Sequence, residues 1–278
     1  MSFFGDYHTH TIYSHGKGTV EENVIAAVKR GLKEIAITDH GFHHMTYNVR
    51  KMDWPFIRKD VERMREKYPM IKILLGLESN FVSLKGAVDI TAADMKYLDI
   101  LVCGYHKFVK PERITDQFGF FLPNLLGIAE KRMTVKNTDA YIKALEKYEI
   151  DVISHICHAA PVDPVEVAKA AAYFGTLIEV NNKNIKAKTG LSSCTDKQWE
   201  KVIETGVEFI VDSDAHRPER VGHFERAETL IERVGLPLER VANWNRTPVF
   251  RSHKAKEELL RLAKPVVAAD SADNGERR

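Results

Sequence analysis

A chain of 278 residues with 41 Lys and Arg against 39 Asp and Glu has room for one large domain or two ordinary ones. Its net charge of +2 gives no electrostatic pull toward nucleic acid or a membrane surface. Apolar residues at 44% and charged residues at 29% describe an ordinary globular protein, and no apolar run is long enough to span a bilayer.

The N-terminal stretch lacks the basic, apolar and small-residue sections of a signal peptide. Cys103, Cys157 and Cys194 form no CxxC pair, and their odd number argues against a disulfide framework. Buried thiols in a reducing cytoplasm are the expectation.

Along the chain, short apolar runs alternate with longer amphipathic stretches, and most apolar runs end on a residue able to bind a metal. The first such group is His8-Thr9-His10. Thr19-Val20-Glu21-Glu22 is a capping box that predicts a helix with Val24, Ala27 and Val28 on its buried face and a stop at Gly31. Ile35 to Ile37 reads as a strand ending at Asp39-His40. Pro55, followed by Ile57, Val61 and Met64, predicts a helix, and Ile71 to Leu77 a strand ending at Glu78. Ile100 to Cys103 ends at His106.

Residues 107–136, with Pro111, Pro123 and Phe118-Gly119-Phe120-Phe121, read as irregular: a rim loop or lid, or equally an insertion packed on the body. A helix over 137–149 has Asn137 or Asp139 as its expected cap. Val152-Ile153 ends at His155, and Pro164 to Phe174 is a helix closed by Gly175. Thr176 to Val180 is a strand ending at Asn181-Asn182. Thr195 to Gln198 is a second capping box, whose helix runs to Gly206, and Val207 to Val211 ends at Asp212-Ser213-Asp214-Ala215-His216. Helical patterns near 224–235 and 253–263 follow. Residues 266–278 are small and polar and are expected to be a disordered tail after a single domain over 1–265.

Continuous apolar strands between amphipathic helices imply a parallel sheet buried on both faces. About seven strand–helix units, with polar residues after nearly every strand, favour closure into a barrel whose site lies at the C-terminal strand ends. An open sheet binds mainly at one switch point instead.

Period-two projection places His8 and His10 on one side, and likewise Asp214 and His216. Joined by His40, Glu78, His106 and His155, they form a ligand set suited to Zn, Mn or Fe. A single ion needs three or four ligands, so the larger set implies more than one ion, with Glu78 able to bridge through its two oxygens. Clustered cations suit phosphoester hydrolysis. Arg217 is the first choice for a phosphate-binding cation, with Lys17, Lys107 and Lys183 beside other strand-end motifs. His43, His44 and His158 are either pocket residues or exposed loop histidines, with exposure expected for the first two.

Taken together, Asp6-Tyr7-His8-Thr9-His10, Ser14-His15, Thr38-Asp39-His40-Gly41, Gly76-Leu77-Glu78, Gly104-Tyr105-His106, Ser154-His155 and Asp212-Ser213-Asp214-Ala215-His216 resemble the polymerase and histidinol phosphatase (PHP) family of metal-dependent phosphoesterases. The resemblance implies a distorted seven-stranded (β/α)7 barrel with three divalent metal ions. It implies that His8, His10, Glu78 and Asp214 hold one ion, Glu78, His106 and His155 a second, and His15, His40 and His216 a third. Asp39 would orient a ligand from behind or hold a loop. Where many members of the family carry proline after the fifth-strand histidine, this chain has Ile156-Cys157-His158.

The resulting expectation is a phosphoric ester hydrolase acting on a small phosphorylated metabolite such as histidinol phosphate, or on a nucleotide. Glu78, Asp214, Asp39 and Arg217 are its catalytic candidates. A 3′-exonuclease-like phosphodiesterase, an amidohydrolase-type barrel and a non-catalytic metal module are the rivals. The neutral charge favours a small metabolite over a nucleic acid. Nothing in the sequence sets the oligomeric state.

Overall fold

The computed structural model describes residues 3–187, 189–190 and 193–253. Seven strands form one parallel sheet in sequence order: β1 (Gly5–Asp6), β2 (Glu34–Ile37), β3 (Lys72–Asn80), β4 (Ile100–Gly104), β5 (Val152–Ile153), β6 (Leu177–Asn181) and β7 (Phe209–Asp212). The last and first strands close the ring by a different device. Thr9 and Ala215 form a parallel bridge, with His10 N–H donating to Ala215 O at 2.8 Å. Below it, the Asn243 side chain donates to Gly5 O and Val211 O and accepts from Val211 N–H. Carboxylates complete the seam: Asp212 accepts from Tyr7 N–H at 2.7 Å and Asp6 from Ser213 N–H at 3.1 Å. This is the distorted seven-stranded barrel expected from the sequence, with side chains standing in for one missing ladder.

Helices cover the outside. They are α1 (Val20–Lys29), α2 (Trp54–Lys67), α3 (Ala92–Met95), α4 (Ile114–Asp116), α5 (Leu122–Leu126), α6 (Glu130–Lys147), α7 (Pro164–Phe174), α8 (Asp196–Glu204) and α9 (Glu225–Val234). Both capping boxes form as expected, at Thr19/Glu22 and Thr195/Gln198. Asp163 caps α7 through Val165 N–H and Glu166 N–H. Among the described residues, no helix is long and apolar enough to cross a membrane.

Two segments differ from expectation. The helix expected over 137–149 starts at Glu130, after Ala129 in a left-handed conformation with no side-chain cap. Asn137 and Asp139 lie inside it. Asn137 is fully buried and exchanges hydrogen bonds with Asn124, while Asp139 pairs with Lys143 on the solvent face. Without a cap motif, the start was invisible to pattern reading.

The stretch over 107–136 is likewise no simple loop. Residues Gln117–Phe121 form a π-helical turn between α4 and α5, and buried Phe120 and Phe121 pack against Tyr105. Only its first residues, Lys107 and Phe108, reach the mouth of the barrel. The helical pattern expected over 253–263 and the tail over 266–278 lie, apart from His253, outside the described residues.

One side of the sheet packs on the helices through a large apolar core that includes Ile35, Ile37, Ile73, Leu75, Ile153 and Val211. The opposite side fills the lower barrel with a second cluster of Tyr7, Ala36, Leu74, Ile100, Val102, Val152, Leu177, Ile210, Ala242 and Phe250. Along β2, β3, β4 and β7 these inward positions continue, two residues at a time, to His40, Glu78, His106 and Asp214. The same period-two register that builds the apolar plug therefore delivers the polar residues to the top.

Candidate metal centre

Glu78 is fully buried and lies inside β3, which extends past the expected strand end. Its two oxygens face different histidines. Oε1 is 2.8 Å from His155 Nε2 and 3.4 Å from His106 Nε2. Oε2 is 2.8 Å from His40 Nδ1, 3.3 Å from His8 Nε2 and 3.6 Å from His10 Nε2. Asp214 approaches from β7, with Oδ1 3.2 Å from His10 Nε2, 4.0 Å from His8 Nε2 and 3.2 Å from His216 Nδ1.

These separations test whether the residues fit a metal. Ligand atoms bound tetrahedrally at about 2.1 Å stand about 3.4 Å apart. His8, His10 and Glu78 stand 3.2–3.6 Å apart, close to that spacing, and Asp214 approaches His10 to 3.2 Å and His8 to 4.0 Å. Hydrogen bonding leaves part of the cluster unexplained: Glu78 Oε2, His40 Nδ1, His10 Nδ1, His15 Nδ1 and His155 Nδ1 are buried without a hydrogen-bond partner. His40 Nδ1 and Glu78 Oε2 touch at 2.8 Å yet are misaligned for a hydrogen bond, as two ligands of one cation would be. His8, His10 and Glu78 can hold an ion, as can His40, Glu78 and His106, and His10, His40 and His216.

His15 lies at the outer side of the cluster. Its ring meets His216 edge-on with centroids 4.1 Å apart, and stacks on His40 at 4.9 Å and Tyr47 at 4.2 Å. The expected third group of His15, His40 and His216 is thus brought together, although His40 also leans on Glu78.

The charges of the site follow from this crowding. Burial alone would raise the Glu78 pKa, yet His106, His8 and His40 hold it well below the usual carboxylate range. Asp214 is held low, against burial, by Lys183 and His8. Burial pushes His10 well down, assisted by His216 and His40, and lowers His15 and His40 to about 3. His8 goes the other way: burial would lower it, but Glu78, Glu179 and Asp214 raise it well above its ordinary value. Ionised carboxylates and neutral imidazoles are the ligating forms, and the His8 proton stands where a cation would replace it. The Lys183 ammonium acts as a stand-in cation at the outer edge, 3.2 Å from Asp214 Oδ1 and 3.2 Å from His216 Nδ1.

Surrounding residues fix the histidines. Glu179, in the middle of β6, accepts from His8 Nδ1 at 2.6 Å and from His155 N–H at 2.7 Å. Asn80 Oδ1 accepts from His106 Nδ1 at 2.8 Å, and Asp89 in turn holds Asn80 through its backbone and side-chain N–H groups. Gly41 leaves room for that Asp89 carboxylate, since a Cβ would stand 2.4 Å from Asp89 Oδ1. Gly104 does the same for His155, whose Cε1 would be 2.5 Å from a Cβ there. Asp39 accepts from Thr11 N–H and Oγ1–H, both at 2.6 Å, and from Ser14 Oγ–H at 2.5 Å. It therefore anchors the loop joining His10 to His15. His155 and Asp214 both sit at positive φ, 30° and 52°, a conformation uncommon for non-glycine residues, which turns both side chains toward Glu78 and the neighbouring histidines.

The cluster opens into a cavity of about 400 Å³, lined beyond the histidines by Tyr47, Lys107, Phe108, Lys183 and Asn184. One expectation changes here. His44 is buried, not an exposed loop residue: its Nδ1 accepts from Tyr47 N–H at 3.1 Å and its ring lies 5.9 Å from that of His40. Arg217 opens onto an adjoining recess of about 220 Å³ that Lys183, Asp214 and His216 also line, while Lys183 and Lys107 are the cations of the main cavity. His158 lines the rim, its ring 5.5 Å from that of His155.

Glu179, Asn80, Asp89 and Tyr47 were not foreseen. A signal existed for Glu179, which shares inward register with Leu177 and Asn181. An acid within an apolar strand needs a buried partner. Asn181 also belongs to this layer, donating to Glu179 and Asp214, whereas Asn182 accepts from Arg226 N–H and Ala227 N–H at the start of α9.

The chain is similar in sequence and in fold to known proteins. A protein from Shewanella loihica named “probable phosphatase” is 30% identical over 271 residues, covering 94% of this chain and all of that one. Another of that name from Proteus mirabilis is 31% identical over 259 residues, covering 91% and 96%. The crystal structure of a histidinol phosphate phosphatase from Lactococcus lactis, complexed with zinc, L-histidinol and phosphate, superposes with a TM-score of 0.58 at 16% identity. That match covers 85% of this chain and 95% of the other, and shows a shared fold. The PHP domain family model matches residues 6–234, and the chain belongs to that family.

Proposed function

We propose that this chain is a metal-dependent phosphatase that hydrolyses a small phosphate monoester at a trinuclear site. His8, His10, Glu78 and Asp214 would hold one ion, Glu78, His106 and His155 a second, and His15, His40 and His216 a third. Zn, Mn and Fe all suit this donor set. The observation that carries the reading is Glu78, a buried carboxylate with one oxygen turned to His106 and His155 and the other to His8, His10 and His40. When bound, divalent ions at such a site supply Lewis acidity and a water acidic enough to attack at neutral pH.

The chain's own residues do the rest. Glu179 fixes the His8 ring through Nδ1 and the His155 backbone through N–H, so two candidate ligands on different strands share one support. Lys183 and Lys107 border the cavity and would take phosphate oxygens, with Lys183 moving off Asp214 to do so. Asp39 keeps the His10–His15 loop in place, and the barrel walls exclude water below Glu78.

A cavity of about 400 Å³ suits a metabolite-sized ligand and provides no long basic track for a nucleic acid. Histidinol phosphate is the first substrate to try, because the Lactococcus lactis relative in fold was solved with the matching alcohol and phosphate. The test is a panel of phosphate monoesters and diesters, with amides and lactones as controls, run alongside elemental analysis of the purified protein. Monoester turnover with bound divalent metal is expected. Turnover confined to diesters, or to amides and lactones, would replace this reading by one of its rivals.

A further inference from the structure

After β5 the chain turns back sharply, with His155, Cys157 and Ala159 all at positive φ (30°, 66° and 67°). This turn forms the wall between two cavities. Ala159 lines both the metal cavity and a larger one of about 550 Å³. Cys157 lines the larger cavity and is partly exposed, so a small solute reaches it from solvent. Behind it, buried Cys194, on the loop that precedes α8, donates its thiol hydrogen to Cys157 at an Sγ–Sγ distance of 3.0 Å.

The two cysteines lie 37 positions apart in the chain and on loops after different strands, so neither local sequence nor a CxxC motif joins them. A disulfide requires about 2.05 Å between the sulfurs, roughly 1 Å less than this contact.

We propose that Cys157 and Cys194 are a reversible redox pair, oxidised by hydroperoxides, whose disulfide ties the β5 loop to the β6 loop and slows hydrolysis. The Cys157 thiolate attacks one peroxide oxygen. The O–O bond breaks, Cys157 becomes a sulfenic acid, and the peroxide leaves as an alcohol, or as water when the oxidant is hydrogen peroxide. Cys194 sulfur then attacks Cys157 sulfur. The S–S bond forms, the S–O bond breaks, and the Cys194 proton leaves with the hydroxide as water. In sum, two thiols and one hydroperoxide give a disulfide, an alcohol and water. Their arrangement assigns the roles: Cys157 is the accessible sulfur and Cys194 the resolving one, donating toward it. Closing the remaining ångström draws on a turn that begins at His155, two residues before Cys157. A shift of that size beside reacting groups costs on the order of 10²-fold in rate.

Pair formation stands on the sulfur geometry alone, and its effect on turnover rests on the phosphatase reading. The metal-loaded full chain is treated with hydrogen peroxide, quenched, digested without reductant and examined by mass spectrometry. In parallel, phosphate release is followed before oxidation and after dithiothreitol. The expected result is a peptide pair linked through Cys157 and Cys194, lighter by two hydrogens. Activity falls at least about tenfold, is restored by dithiothreitol, and in Cys157→Ser and Cys194→Ser proteins does not respond to peroxide. Peroxide that yields no linked pair, or a linked pair with unchanged turnover, overturns the proposal. Absence of phosphate release from the reduced enzyme counts against the phosphatase reading instead, and the linked pair is then still scored by mass.

Discussion

The lower and upper halves of the barrel interior are built on the same strands, in the same register, from opposite materials. Below, Ala36, Leu74, Val102 and Ile210 meet Phe250 and Ala242 in an apolar plug. Above, four residues further along those strands, stand His40, Glu78, His106 and Asp214, in a cluster whose buried nitrogens and one Glu78 oxygen have no hydrogen-bond partner. The lower half repays its ordering by burial. The upper half holds six imidazoles (His8, His10, His40, His106, His155 and His216) around the two carboxylates Glu78 and Asp214, an arrangement that its own hydrogen bonds do not satisfy and that a cation does. Stability and chemistry are thus divided along the barrel axis, and substitutions should separate them.

The largest effect is expected from Glu78→Gln. It removes the shared carboxylate charge with little change in shape, and should lower phosphatase turnover by at least about 10³-fold, beyond the 10–100-fold that a supporting partner costs. Metal content should fall with it, while urea unfolding of the chelated protein stays within about 1 kcal/mol. The mirror experiment is Phe250→Ala in the plug. It should cost about 3–5 kcal/mol in urea unfolding while leaving metal stoichiometry and kcat unchanged. Loss of turnover in the folded Phe250→Ala protein would break the division.

A pH experiment sharpens the lower half. Asp151 is fully buried beneath β5, where it accepts from Leu101 N–H, Ser252 N–H and Ser252 Oγ–H. Burial outweighs these bonds and pushes its pKa up to about 6. Between about pH 4 and 6 the folded state therefore holds a proton that the unfolded chain has released. The stability this proton carries is complete below pH 4 and is lost as pH rises through 6, by ~3 kcal/mol. Asp151→Asn should flatten that segment of the stability profile of the chelated protein. Parallel wild-type and variant profiles would count against the burial account.

Glu179→Gln has the smallest expected effect, because it touches histidines and not the cations. Metal affinity and turnover should fall 10–100-fold, or about 1.4–2.7 kcal/mol, with the ligand set intact. An effect as large as that of Glu78→Gln would place Glu179 among the ligands.

Much of this division was readable in the chain. Apolar runs ending in His40, Glu78, His106, His155 and Asp214 announced both the ring of strands and the cluster above it, because one period of two governs both. What stayed hidden came from contacts distant in sequence. Phe250 enters the plug from beyond the last strand, and Asn243 replaces a ladder between β1 and β7. Glu179 hides within an apolar run because its partners, His8 and His155, lie 171 and 24 positions away. His44 is buried by the turn that brings Tyr47 back onto it, a closure that no local pattern in a histidine-rich loop reveals. Arg217 follows Asp214-Ala215-His216 directly, yet opens onto the adjoining recess, while Lys183 arrives from β6.

In the proposed site Glu78 joins more than one ion into a single phosphatase centre. Titrating divalent metal into chelated protein, while following bound metal and phosphate monoester hydrolysis together, tests it most directly. Turnover is expected to rise only beyond one equivalent of bound metal per chain, a level that Glu78→Gln protein never reaches. Full turnover at one equivalent or less would contradict it.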